Sequence, residues 1–181
     1  MTDVNKIELI RVTDSCELSH ELRTIYEEAF PPDERREWTQ FIELLKNPNF
    51  FLKAIYNQKK LIGILTIWNL HEFRFIEHFA IQDAERGKGF GTQVVNQLLA
   101  GTSIPLILEV EEPVTETAHK RIQFYERINF SVCKREYFQP PYTNDKNEVK
   151  MLLMSYPEKI SEVYFLQIKD RIYRMVYGIN E

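Results

Sequence analysis

The stretch Arg86-Gly87-Lys88-Gly89-Phe90-Gly91-Thr92 constrains the fold of this chain more than any other. A basic residue opens it and three glycines alternate through it. An amphipathic helix follows at once, with Phe90, Val94, Val95, Leu98 and Leu99 at helical spacing. An apolar strand, Phe73 to Ile81, precedes it. Strand, glycine loop and helix in that order bind phosphate. Glycines let backbone N–H groups approach an anion, and a helix N-terminus adds partial positive charge. Arg86 and Lys88 bring full charges to the same place. A glycine-rich turn before a packing helix is the plainer reading, and it leaves the two cations unexplained.

Several phosphate loops share part of this pattern. A Walker loop ends in Gly-Lys-Ser/Thr, and here Gly89 follows Lys88, which excludes it. A dinucleotide loop reads G-x-G-x-x-G directly after a strand, with an acid about 20 residues on. Glu109 and Glu111 fit that acid, but the glycines are spaced G-x-G-x-G and Asp83-Ala84-Glu85 separates them from the strand. Arg86, Gly89 and Gly91 instead match Arg/Gln-x-x-Gly-x-Gly/Ala. In this the chain resembles the GNAT superfamily of acyl-CoA-dependent N-acetyltransferases, where that loop holds a pyrophosphate.

The resemblance extends over roughly residues 5–156. Upstream stands the apolar strand end Glu77-His78-Phe79-Ala80-Ile81. Downstream come the strand Leu106-Ile107-Leu108-Glu109-Val110, a helix, and the ending Phe124-Tyr125-Glu126-Arg127-Ile128-Asn129-Phe130. Asn129 stands where the family carries glycine, and asparagine is the next best residue for a left-handed backbone. Ala118 and Arg121 replace the family's usual Asn and Ala before the tyrosine, so a cofactor contact is lost or passes to Arg121 or Lys120. Glu28-Ala29-Phe30-Pro31-Pro32-Asp33-Glu34-Arg35-Arg36 resembles a bacterial branch of the family.

Composition bounds the alternatives. The 181 residues suit one domain, 1–181, with a core over about 5–156 and a terminal helix over about 157–178. A chain of that length buries about 70% of its unfolded surface. No apolar run suggests a signal peptide or membrane span, so the expected compartment is the cytoplasm. Cys16 and Cys133 form no disulfide framework, and His20, His71, His78 and His119 show no metal spacing, so no metal is expected. A net charge of −4 with no basic stripe argues against nucleic acid.

Periodicity gives the order of elements. Strands are expected at Lys6–Val12, Phe50–Tyr56, Leu61–Trp68, Phe73–Ile81, Leu106–Glu111, Phe130–Phe138 and Val149–Tyr156. Helices are expected from about Cys16 to Ala29, capped by Asp14-Ser15, then at Trp38–Lys46, Gly91–Ala100 and Thr115–Ile128. The last helix starts at Pro157, with Ile160, Tyr164, Ile168, Ile172 and Val176 on one face, and ends at Gly178. This is a mixed α/β order, a mixed sheet flanked by helices. The resemblance narrows it to the GNAT fold: a mostly antiparallel sheet with one splayed parallel pair, here Phe73–Ile81 and Leu106–Glu111, plus the terminal helix. That helix packs on the sheet or on a second subunit, a homodimer being the alternative.

The resemblance implies acetyl-CoA as co-substrate, held by Arg86, Gly87, Lys88, Gly89, Phe90, Gly91 and Thr92, with the backbone of Phe79, Ala80 and Ile81 pairing with its pantetheine arm. It places Tyr125 as the acid that protonates the departing thiolate; a core aromatic is the plainer reading. Glu77 is the candidate base, because strand parity puts it among Phe73, Phe75, Phe79 and Ile81. An ion pair with a neighbouring arginine, such as Arg74 or Arg121, is its structural alternative. His78, on the opposite parity, and Glu109 are the other bases. Glu28, Phe30, Glu34, His78 and Tyr142 are the expected acceptor-lining residues. Glu27, Glu28, Asp33, Glu34 and Glu37 make that wall acidic, which favours a small polycationic amine. No cysteine is placed for a covalent route, so transfer is expected to be direct. The rival from another class is a catalytically idle acyl-CoA-binding module.

Overall fold

The computed structural model describes residues 6–179. The expected single domain over 1–181, and its core boundary at residue 5, reach outside them. Seven strands are β1 (Ile7–Val12), β2 (Phe50–Asn57), β3 (Lys60–Asn69), β4 (Arg74–Ile81), β5 (Leu106–Glu111), β6 (Ser131–Gln139) and β7 (Val149–Tyr156). Five helices are α1 (His20–Ala29), α2 (Trp38–Leu44), α3 (Phe90–Ala100), α4 (Glu116–Arg127) and α5 (Glu162–Met175). The strands form one sheet in the order β1-β2-β3-β4-β5-β7-β6. Pairings β1–β2, β5–β7 and β6–β7 are antiparallel; β4–β5 is parallel, over Arg74↔Leu106, Phe75↔Ile107 and Ile76↔Leu108. The mixed α/β expectation, with its parallel pair, holds. Contacts divide the chain into two compact units, Met1–Ile67 with Glu77–Ser103, and Trp68–Ile76 with Ile104–Glu181.

In the first unit β3 is buried residue after residue from Leu61 to Ile67, the pattern of a strand covered on both faces. Gln58 and Lys59 take left-handed φ of 49° and 67°, which turns the β2–β3 hairpin in two residues. Gly63 has no substitute: a Cβ there would lie 2.3 Å from the Ala80 carbonyl oxygen. Phe41 is the buried residue of α2, stacked on Trp38 at 5.3 Å and set against Tyr26 at 4.5 Å. Truncating it to alanine would cost about 3–5 kcal/mol.

One helix of this unit starts later than its sequence suggests. Asp14 and Glu17 form a capping box that closes a short 3₁₀ turn, Ser15–Glu17. Ser19 then supplies a fresh cap, its hydroxyl accepting from Leu22 N–H at 3.1 Å, and α1 begins at His20.

In the second unit, α4 ends as its sequence predicts. Asn129 has φ 68°, and Phe130 N–H reaches back to the Tyr125 carbonyl at 3.0 Å. The terminal helix corrects two expectations. It starts at Glu162, capped by the Ser161 hydroxyl, so Pro157 and Ile160 precede it. Its buried side carries Phe165, Ile172 and Val176, while Tyr164 is 62% exposed. Ile172 and Val176 keep their expected side. A strict four-residue step drifts around a turn of about 3.6 residues, so Phe165, seven before Ile172, takes the buried place expected for Tyr164.

Candidate active site

The glycine loop has the backbone its composition requires. After β4, a 3₁₀ turn at Asp83–Glu85 leads to Gly87 and Gly89, at φ 77° and 82°. Both values lie where only glycine is comfortable. Gly89 is the N-cap of α3 and brings no side chain to it. The first turn of a helix has amides with no in-helix acceptor. Here the Gln93 amide bonds to the Gly89 carbonyl at 3.2 Å, and those of Phe90, Gly91 and Thr92 precede it.

The loop's cations carry partners of their own. Arg86 Nε donates to the Ile81 carbonyl at 3.0 Å, and its guanidinium sits 2.8 Å from Asp83. Lys88 Nζ is 2.8 Å from one oxygen of Glu85, and Lys60, from the β3 start, is 2.7 Å from the other. Hydrogen bonds from Lys60 and then Lys88 hold the Glu85 carboxyl below the usual carboxylate range. Lys60 and Glu85 escaped the sequence reading, since 25 positions separate them.

Beside the loop lies a cleft of about 350 Å³, lined by Ile25, Glu28 and Ala29 of α1 and by Ile81, Gln82, Asp83, Ala84 and Arg86. It brings Glu28, expected on the acceptor wall, together with Ile81 and Arg86, expected at the cofactor. The Ala80 carbonyl faces β3, where it crowds Gly63. Backbone groups alternate along a strand, so Phe79 and Ile81 turn theirs to the opposite edge. Of the three residues expected to pair with pantetheine, Ala80 therefore points its carbonyl elsewhere.

Glu77 and His78 do not separate as parity predicts. The Glu77 side chain is fully buried, and Arg36 donates to its Oε1 from Nε at 3.1 Å and from a terminal nitrogen at 3.0 Å. An ion pair with an arginine is the structural alternative for Glu77, and Arg36 supplies it; Arg121 pairs with Glu111. His78 Nε2 lies 3.0 Å from the Glu34 carbonyl, which can only accept, so Nε2 carries the proton. Nδ1 then accepts from the Thr66 hydroxyl at 3.4 Å. Burial lowers the His78 pKa and keeps the ring neutral. Its ring packs edge-on against Phe30 at 4.6 Å and Tyr26 at 5.0 Å. Arg36 on Glu77 and Glu34 on His78 both come from the one segment between α1 and α2. It draws the two side chains together, Glu77 Oε2 lying 3.8 Å from His78 Nδ1. Tyr26 completes the arrangement, its hydroxyl accepting from Arg36 N–H at 2.9 Å.

In the second unit Tyr125 is 5% exposed, its ring 4.9 Å from Phe124 and 5.5 Å from Phe130. Burial raises its pKa above the phenol range, opposed by Arg121 and reinforced by Glu111. The hydroxyl thus keeps its proton. Tyr142, half-buried, has its ring 5.2 Å from Tyr177. Among the described residues no group of histidines, cysteines and carboxylates could hold a metal ion, and no helix is long and apolar enough to cross a membrane.

Comparison with known proteins fits this geometry. Residues 16–130 match the Acetyltransferase (GNAT) family. Comparison with curated proteins gives no match. A protein of Bacteroides thetaiotaomicron, assigned to the GNAT family as an acetyltransferase, is 31% identical with a TM-score of 0.86, over 97% of this chain and 99% of that one. The ribosomal-protein-S18-alanine N-acetyltransferase of Escherichia coli is similar in fold, at 17% identity and a TM-score of 0.61, over 87% and 96%. So is an aminoglycoside 6'-N-acetyltransferase solved with coenzyme A, at 16% and 0.60, over 85% and 99%. This chain belongs to the GNAT acetyltransferase family.

Proposed function

We propose that this acetyltransferase moves an acetyl group from acetyl-CoA directly to a primary amine. The observation that carries the reading is the loop itself: two left-handed glycines deliver the uncapped start of α3 next to Arg86 and Lys88. That is the chemistry of a pyrophosphate seat. Arg86, Gly87, Lys88, Gly89, Phe90, Gly91 and Thr92 would hold the phosphates. Phe79 would offer its backbone groups to the pantetheine arm and Ile81 its N–H, the Ile81 carbonyl being held by Arg86.

In the transfer, the amine nitrogen forms a C–N bond to the thioester carbonyl carbon and the C–S bond breaks. The departing thiolate takes a proton from the Tyr125 hydroxyl, which burial keeps protonated. The ammonium must lose its proton before attack. Glu77 is the proposed acceptor of that proton, directly or through water. One observation favours a second role for it. Two guanidinium N–H groups on Oε1 stabilise the carboxylate and weaken it as a base. Glu77 then serves by pinning Arg36, and with it the wall that carries Phe30 and Glu34. His78 is engaged at both ring nitrogens and belongs to the same wall.

The acceptor in this reading is a small amine, with a second positive charge preferred. Glu28 is exposed at the cleft, and Glu34 lies on the wall. Arg36 is directed to Glu77 and Arg35 to the Phe30 carbonyl at 3.0 Å. The proposed setting is a single GNAT domain in the cytoplasm, with neither nucleic acid nor membrane as partner. Calorimetry with acetyl-CoA, followed by thiol release over a panel of amines, tests the reading. Binding without turnover of any amine would mark the chain as an acyl-CoA sensor, and absence of binding would remove the loop assignment.

A further inference from the structure

The glycine loop's own charges cancel. Arg86 lies 2.8 Å from Asp83, and Lys88 lies 2.8 Å from Glu85. Two cations meet two acids, and the loop by itself holds no surplus charge for an anion. Lys60 changes that balance. It opens β3, straight after the left-handed Gln58 and Lys59, and its ammonium lies 2.7 Å from the other oxygen of Glu85. The backbone holds it there. Gln82 N–H, directly after β4, donates to the Ile62 carbonyl at 2.8 Å and ties the start of β3 to the approach of the loop. Three cations now meet two carboxylates, which leaves one positive charge in excess.

That excess lies at the surface. The Glu85 side chain is 10% exposed, whereas those of Lys60 and Lys88 are 58% and 52% exposed. The carboxylate lies beneath, and the two ammonium groups lie outward. An ammonium has three donors, and Glu85 takes one from each. Gly87 and Gly89 flank Lys88, and a Cβ on either would meet nothing beyond its chain neighbours within 4 Å, so the space beside Lys88 is open. The shared carboxylate also holds two long side chains in place, which reduces the freedom an anion must remove when it binds.

We infer that Lys60 is a cofactor-binding residue: with Lys88, on their shared Glu85 carboxylate, it takes a phosphate group of acetyl-CoA. This rests on the reading of the loop as a pyrophosphate seat. It extends that seat to a side chain outside the glycine motif, 25 positions from Glu85. The loop's backbone is specified by its own residues; its net charge is not. A lone Lys88–Glu85 pair attracts a phosphate with one partner and repels it with the other. The second lysine offsets the repulsion. The cofactor offers this chemistry twice, in its pyrophosphate and in its 3'-phosphate, and both present the same anionic oxygens to an ammonium ion.

The test is calorimetry of the full chain with acetyl-CoA and with its 3'-dephospho form, over a range of salt. Lys60→Met keeps the hydrocarbon stem and removes the charge. It leaves Lys88 on Glu85, so the carboxylate keeps a partner and the fold is retained. Acetyl-CoA binding should weaken by about fivefold to tenfold, and it should fall less steeply with added salt than in the wild type. A merely structural role for Lys60 would leave the salt dependence unmoved. Lys60→Arg should restore most of the affinity. A loss seen only with acetyl-CoA assigns the contact to the 3'-phosphate, and an equal loss with both ligands assigns it to the pyrophosphate. The inference alone falls if the wild type binds acetyl-CoA and Lys60→Met keeps either its affinity or its salt dependence. A wild type that binds neither ligand overturns the loop reading itself.

Discussion

The glycine loop at 86–92 and the segment at 30–37 both serve the same unit, and they are built on opposite principles. The loop is local. Gly87 and Gly89 take left-handed backbone, the helix begins at Phe90, and the cations are bound by acids at most three positions away. The segment is held from a distance. Arg36 reaches Glu77 across 41 positions, and Glu34 meets His78 across 44. A loop specified by its own residues tolerates changes elsewhere. A segment specified by one buried pair depends on both members of that pair.

The sharpest way to break the comparison is Arg36→Ala. It leaves the Glu77 carboxylate buried without its guanidinium, and stability should fall by about 3–5 kcal/mol. Urea melts of the single and of Arg36→Ala/Glu77→Gln check this: the double variant should recover a good part of the loss. Equal loss in both would deny that the buried pair holds the segment. Tyr125→Phe should lower kcat by about 10²-fold with little change in acetyl-CoA affinity. An unchanged kcat with chemistry rate-limiting would return Tyr125 to the core. Gly89→Val places a β-branched residue at φ 82° and should weaken acetyl-CoA binding by about tenfold, 1.4 kcal/mol. Calorimetry on the folded variant decides it.

These two regions also explain how far the sequence could be read. Alternation and turns placed β5 and β7 at their observed ends, since Pro105 and Pro157 punctuate them. The loop was legible because glycine and charge are local signals. The α1 start was not, because Asp14 and Ser19 are both good caps and only packing chooses between them. The Glu77 environment was half legible: parity announced burial, but nothing in the chain marks Arg36 rather than Arg74 or Arg121 as partner. Likewise the phenols that donate to Glu109, Tyr137 on β6 and Tyr177 beyond α5, are joined to it by no spacing rule.

Smaller effects sharpen the same contrast. Glu77→Gln distinguishes base from anchor. A base variant should flatten the rise of kcat/KM with pH, whereas an anchor variant should raise KM and keep the profile. His78 offers a pH test of the segment. Its folded-state pKa lies below the ordinary 6.5, because burial disfavours the charged ring. The unfolded chain therefore binds the proton first, and stability should decline as pH falls below that value. Melts from pH 7.5 to 5.5 should show the decline, and His78→Gln should reduce it. A variant with the wild-type slope would remove His78 as its source.

The central claim is that the loop serves transfer of an acetyl group. Thiol release from acetyl-CoA, measured with and without spermidine and phenethylamine and with mass spectrometry of the amines, tests it most directly. The account predicts amine-dependent release of CoA and an N-acetylated amine, both diminished in Tyr125→Phe. Acetyl-CoA that binds tightly, while no amine gains an acetyl group, would contradict it.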